Sequence, residues 1–225
     1  TAVGALENAW AALRLRGPFR AGVELAEVVR NGSGLAPAQR ARAERVSGVA
    51  LDAVGNTALA HPRFESALSL ARRAGDRCCE ARALSNMGEL MRNEGRMEEA
   101  QAHLTAALAL ARESDDRTLQ CELRNGLGTL NWETGRLDAA RCDYEAALAL
   151  ARDLSDRRWE GGALGNLGNL DAQLGRTDAA RSHYEAGLAA AREIGNRQWE
   201  GNMLSNLGFL HLTQERLVEA RSHFE

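Results

Sequence analysis

A 40-residue period governs this chain. Arg77, Arg117, Arg157 and Arg197 recur at that spacing, as do Gly88, Gly128, Gly168 and Gly208. So do Leu90, Leu130, Leu170 and Leu210, Arg96, Arg136, Arg176 and Arg216, and Ala100, Ala140, Ala180 and Ala220. Such a period marks one supersecondary unit copied along the chain. A single copy cannot bury its apolar face alone, so neighbouring copies must stack. A fainter copy precedes these: Gly48, Gly55, Ala60, Phe64 and Ala67 stand in register with Gly88, Gly95, Ala100, Leu104 and Ala107. The pattern predicts repeats over about 37–73, 77–113, 117–153 and 157–193, and a truncated one over 197–225. A divergent helix pair over 1–36, with Gly17-Pro18 as its turn, is expected ahead of them.

Each copy is a helical hairpin. Leu84, Met87, Gly88 and Met91 fall at i, i+3, i+4 and i+7, one stripe of a first helix, and Ala100, Leu104, Ala107, Leu108 and Ala111 form the stripe of a second. Gly95, Gly135 and Gly175 stand between them, where a left-handed residue ends the first helix and a Cβ would clash. The loop is short, so the two helices are antiparallel. Gly88, Ala100 and Ala107 lie on the facing stripes and set the helix separation. Asp76, Asp116, Asp156 and Asn196 suit N-caps, and Glu80, Glu160 and Glu200 follow in first turns, where the helix dipole favours negative charge. Gln120 is the neutral exception. Pro62 falls about one turn into a second helix, where its missing N–H costs little. The expected fold is therefore all-α, an α–α superhelix of antiparallel helix pairs.

Composition removes competing chemistries. All 28 basic residues are Arg, and without Lys there is no Walker phosphate loop, Schiff-base lysine or pyridoxal-phosphate anchor. Against 31 acids the net charge is -3, which is no electrostatic footprint for nucleic acid. No stretch reaches the ~20 apolar residues that span a bilayer, and no basic segment with an apolar run opens the chain, so a cytoplasmic location is expected. Cys78, Cys79, Cys121 and Cys142 lack paired metal-site spacing and read as reduced thiols. The chain starts at Thr1 and stops inside its pattern at Ser222-His223-Phe224-Glu225, as a piece of a longer protein would.

Leu164, Leu167-Gly168, Ala180, Tyr184 and Gly187 resemble the signature of tetratricopeptide repeats, with Gly187 in place of the usual Ala. The resemblance is to the roughly 40-residue form, is specific over 77–225 and loose over 37–73. The aromatic expected in mid first helix is replaced by Met91, Asn131, Asp171 and His211, and the closing Pro is absent. The Leu-Gly-Asn-Leu-Gly type is similar to repeats of kinesin light chains, of spindle-orientation adaptors and of C-terminal sensor arrays in bacterial signal-transduction ATPases and regulators. The Ala- and Arg-rich, Lys-free composition favours the bacterial array.

The resemblance implies that first helices line a concave surface that binds a peptide or protein. On them Asn86, Asn166 and Asn206 recur despite the poor helix propensity of Asn, and Gly126 interrupts the series. In the resembling adaptors such an Asn holds the backbone of an extended peptide; duplication with the repeat explains the recurrence equally well. Further positions on this surface are Arg82, Glu89 and Arg92; Glu122, Asn125, Thr129 and Trp132; Asn169 and Gln173; and Asn202, Phe209 and Leu212. Their character runs from charged to apolar, which suits a segment with an acidic or mixed end and an apolar end. An ordinary solvated face has the same appearance. Trp159 and Trp199 read as inter-repeat core.

His103, His183 and His223 sit one or two repeats apart on second helices, too far to ligate one ion, and read as surface residues. Gly162-Ala-Leu-Gly165-Asn-Leu-Gly168 lacks the preceding strand of a dinucleotide fingerprint. No nucleophile motif is present, so neither catalysis nor a cofactor is expected. The function expected is a protein-interaction module, the sensor or adaptor part of a larger bacterial signalling protein. The alternative is self-association, as a homo-oligomer, or an intramolecular scaffold restraining a linked ATPase, kinase or DNA-binding domain. Direct nucleic-acid or membrane contact is not expected.

Overall fold

The computed structural model describes residues 1–16 and 19–213. The Gly17-Pro18 turn, Arg216, Ala220 and His223 lie outside them. Among the described residues there are eleven α-helices and no strand, an all-α fold. The chain divides into two compact units, Thr1–Asp116 and Arg117–Glu225.

The first unit holds α1 (Ala2–Arg16), α2 (Phe19–Arg30), α3 (Pro37–Ala53), α4 (Thr57–Ala74), α5 (Arg77–Asn93) and α6 (Met97–Glu113). Here α3 pairs with α4 and α5 with α6, α4 and α3 both pack on α5, and α1 and α2 pack on α3. The second unit holds α7 (Arg117–Glu133), α8 (Leu137–Asp153), α9 (Arg157–Gln173), α10 (Thr177–Glu193) and α11 (Arg197–Thr213). In it α7 pairs with α8 and α9 with α10, while α9 packs on α8 and α7, and α11 on α10.

Glycine sets how closely each hairpin closes. A Cβ at Gly88 would lie 2.7 Å from Leu104 Cγ, at Gly128 2.6 Å from Tyr144, and at Gly168 2.5 Å from Tyr184 Cε1. Any side chain there would drive the helices apart, because packed interiors leave no slack. Ala100, Ala107, Ala140, Ala147 and Ala180 are fully buried on the opposing stripes. The turns follow the sequence: Gly95, Gly135 and Gly175 have φ of 78°, 75° and 71°. A second left-handed turn after each second helix uses Gly75 and Gly195, but Asp115 and Ser155 in the intervening copies, at φ 50° and 54°. Asp76 caps α5 by accepting from Cys79 N–H at 3.0 Å, and Asn196 caps α11 by accepting from Trp199 N–H at 3.1 Å.

The first-turn glutamates do more than meet the helix dipole. Glu80 accepts from Arg72 of α4 at 2.9 Å and from Arg77 of its own helix at 3.0 Å. Glu160 repeats the clamp with Arg152 at 3.1 Å and Arg157 at 2.6 Å, and Glu200 accepts from Arg192 at 2.8 Å. One carboxylate thus ties the end of a second helix to the start of the next first helix. Burial pushes the Glu80 and Glu160 carboxyls up, but the two guanidiniums on each outweigh it and hold both below the usual carboxylate value.

The missing mid-helix aromatics are replaced by buried polar pairs. Asn131 donates to Asp143 at 2.9 Å, and Asp143 also takes Arg124. One repeat on, the fully buried Asp171 meets His183 Nδ1 at 3.0 Å and Arg141. His183 is therefore not the surface residue that its second-helix position suggested; it is half-buried and pairs with Asp171 across the α9–α10 hairpin, where Arg141 of α8 meets the same carboxylate.

Candidate functional site

The polar residues singled out on first helices fall into two groups. In Thr1–Asp116, Arg82 donates to Asp116 at 3.0 Å, and Glu89 pairs with Arg92 along α5 at 2.9 Å. Asn86 Oδ1 is enclosed and accepts no hydrogen bond among the described residues. A cleft of about 340 Å³ here is lined by Glu7, Arg42, Arg45, Cys78, Cys79 and Arg82, a charged surface. Asn86 and Glu89 are not part of its lining.

In the second unit the asparagines form inter-helix pairs. Asn166 Nδ2 of α9 donates to Asn125 Oδ1 of α7 at 3.4 Å, and Asn206 Nδ2 of α11 donates to Asn169 Oδ1 of α9 at 3.1 Å. Asn125 is buried and spends its own Nδ2 on Cys121 C=O at 3.3 Å, so it supports Asn166 from below instead of facing outward. Thr129 Oγ1 donates to Asn125 C=O at 3.1 Å and accepts from Tyr144 OH at 3.3 Å. Tyr184 OH donates to Asn169 Oδ1 at 2.9 Å. Trp132 reaches from α7 to α9, where its Nε1–H bonds Gln173. These contacts fix the amides while leaving polar atoms of Asn166 and Asn206 with unused bonding capacity, since a carboxamide offers two donors and two acceptor lone pairs.

Between α9 and α11 lies a cleft of about 480 Å³, lined by Gly161, Gly162, Gly165, Asn166, Asn169, Trp199, Asn202, Met203, Ser205 and Asn206. No charged side chain is among them. A second cleft of about 390 Å³, bounded by Thr177, Tyr184, Asn206, Phe209 and Leu210, flanks Asn206 as well. Phe209 and Leu212 are exposed, Phe209 by 62%. The structure thus brings Asn166, Asn169, Asn202 and Asn206 to one cleft, with Phe209 at the adjoining one; Arg82, Asn86 and Glu89 belong to the other unit.

Of the two tryptophans expected in the inter-repeat core, Trp159 follows the expectation and Trp199 departs from it. Trp159 packs against the buried cluster around Tyr144 and Leu164, as core residues do. Trp199 is half-buried and forms a wall of the α9–α11 cleft. The residues that separate them are those one repeat back: Cys121 and Glu122 precede Trp159, whereas Gly161 and Gly162, which lie near the Trp199 ring, carry no side chain.

No metal-binding group of His, Cys, Asp or Glu occurs among the described residues, and no described helix is long and apolar enough to cross a membrane. The four cysteines are free thiols. Burial raises Cys79 to about 11 and Cys121 to about 12, so both stay protonated and unreactive.

A family model described as tetratricopeptide repeat matches residues 79–153 and 160–225. Among solved structures, BtubC (BKLC) from P. vanneervenii is 20% identical with a TM-score of 0.75, over 97% of this chain and 88% of that one. A signal transduction ATPase with numerous domains and a tetratricopeptide repeat sensor, from Pyrococcus horikoshii, is 14% identical with a TM-score of 0.78. The match covers 93% of this chain and 32% of that protein. NprR in complex with its cognate peptide NprX is 15% identical with a TM-score of 0.70, over 98% of this chain and 64% of NprR. A comparison with curated proteins gave no match.

Proposed function

This chain belongs to the tetratricopeptide-repeat family, and we propose that its second unit binds an extended peptide or protein segment along α7, α9 and α11. The observation that supports this reading is the set of paired carboxamides, Asn125 with Asn166 and Asn169 with Asn206, beside a cleft free of charge. A peptide backbone presents alternating donors and acceptors. Held amides with capacity to spare match it without preference for side-chain charge. The similar fold of NprR, solved in complex with its cognate peptide, supports a peptide as the ligand class. We further propose that the chain is a non-catalytic, cytoplasmic sensor or adaptor part of a larger bacterial signalling protein, a reading supported by its likeness to part of a longer signal transduction ATPase that has a tetratricopeptide repeat sensor.

The test is Asn166→Ala combined with Asn206→Ala, titrated against peptides recovered by display on the chain. Affinity should fall by about 1–3 kcal/mol while helicity holds, since Ala is the better helix former. Glu185→Ala, exposed on α10, is the control. Unchanged binding by the double variant would exclude the amide face. The self-association alternative predicts instead a gel-filtration mass that rises with concentration.

A further inference from the structure

Helix α9 carries Gly161, Gly162, Gly165 and Gly168 within one 17-residue helix. Glycine is the least favourable helix-interior residue after proline, so each needs a reason. Gly168 has one in Tyr184, and Gly165 has one in Met203, whose Cε would lie 2.9 Å from an added Cβ. Gly161 and Gly162 have none inside the fold. A Cβ at Gly161 would make ordinary contacts at 3.5 Å or beyond, and one at Gly162 would find only Trp199 Cη2 at 3.9 Å. Other copies place Arg82, Glu122 and Asn202 at the position of Gly162. Gly161 and Gly162 instead line the cleft between α9 and α11, together with Trp199, Asn166 and Asn202.

We infer that this cleft is the side-chain pocket of the proposed peptide site, and that it takes one bulky uncharged residue of the bound segment, aromatic or branched aliphatic, laid on the Trp199 indole. The inference rests on the peptide-binding reading above. Three observations support it. The lining holds no charge to neutralise an ion, and an unpaired ion taken out of water is costly. Its volume of about 480 Å³ lies within the range of ligand pockets. Its α9 side is lined by Gly161, Gly162 and Gly165, which leave backbone open to a close approach of the segment. Arg, Glu or Asn at the position of Gly162 would fill that approach.

Random heptapeptides displayed on phage are selected on the chain, and synthetic copies of the enriched sequences are titrated by fluorescence anisotropy. Enriched peptides should share one bulky uncharged position, and replacing it by Asp or Arg should weaken binding at least tenfold. Gly162→Asn, which installs the residue α11 already tolerates at 202, should weaken binding at least tenfold with unchanged circular dichroism. Gly162→Ala should weaken it about threefold while raising the melting temperature by about 2–4 °C, a separation of binding from folding. If Gly162→Asn binds as tightly as the parent while the Asn166→Ala, Asn206→Ala variant does not, the pocket assignment is overturned and the peptide-binding reading stands. If no peptide is enriched, or binding is indifferent to both variants, both are overturned.

Discussion

The Tyr184 hydroxyl donates to Asn169 Oδ1 at 2.9 Å, so one side chain fills the space opened by Gly168 and also orients an amide of the α9–α11 cleft, the proposed peptide site. Burial, with the nearby Asp171 carboxylate, raises Tyr184 to about 12, and the hydroxyl stays a donor throughout the working pH range. Tyr184→Phe keeps the ring and removes the bond. Stability should drop by about 0.5–1 kcal/mol, and a display-selected peptide should bind about two- to fivefold more weakly because Asn169 is no longer held. Thermal melts and anisotropy on the same preparation check both; intact affinity would show that Asn169 needs no orientation from the core.

Gly168→Leu places a side chain where even a Cβ meets Tyr184 at 2.5 Å. Overpacking of this kind costs about 1–3 kcal/mol. Each repeat leans only on its neighbours, so hydrogen exchange should quicken over 157–193 far more than over 37–73. Equal acceleration everywhere would indicate one cooperative core.

The glutamate clamps give stability a pH dependence with a fixed sign. Glu80 and Glu160 have folded-state values below their ordinary one, so their contribution is complete above the ordinary value of 4.5 and is lost as pH falls through the folded-state value. Melting temperature should therefore fall on acidification below about pH 4.5. Glu160→Gln should cost about 1 kcal/mol at pH 7, an amount kept small by the solvent exposure of Arg152 and Arg157, and should flatten the acid slope. Parallel acid profiles for variant and parent would exclude the clamp as its source.

Asp171 is buried between His183 and Arg141, and removing it strands two donors. Asp171→Ala should cost about 3–5 kcal/mol. Asp171→Asn combined with His183→Asp copies the preceding repeat's Asn131 and Asp143 and should be more stable than the sum of the single changes predicts, by about 1 kcal/mol. Additive chemical-denaturation energies would mean that the two positions are not coupled.

Much of this was legible because the repeat shows each decision several times. Gly95, Gly135 and Gly175 announce a left-handed turn, and the structure places all three there. The same logic missed the turn after the second helix, because Asp115 and Ser155 occupy positions that Gly75 and Gly195 fill elsewhere. His183 was misread for a related reason. Its partner Asp171 lies on the opposite helix of the hairpin, and a stripe drawn on one helix cannot show it. The recurrence of Asn166 and Asn206 pointed to an amide series, but Asn125 does not share their register. Its bond to Asn166 spans 41 residues and depends on how α7 meets α9, which a one-dimensional pattern does not contain.

The clamp also bears on how such a chain is made. Glu80 and Glu160 reach back eight residues to Arg72 and Arg152, and back only three to Arg77 and Arg157 by the same carboxylate. Closing loops that short takes little chain entropy, and folds dominated by local contacts are fast folders. As the chain leaves the ribosome, the joint between one hairpin and the next can therefore close once its own turn is exposed, before the rest of the following hairpin has emerged. Such joints favour assembly in chain order during synthesis, each finished pair offering a surface on which the next can pack.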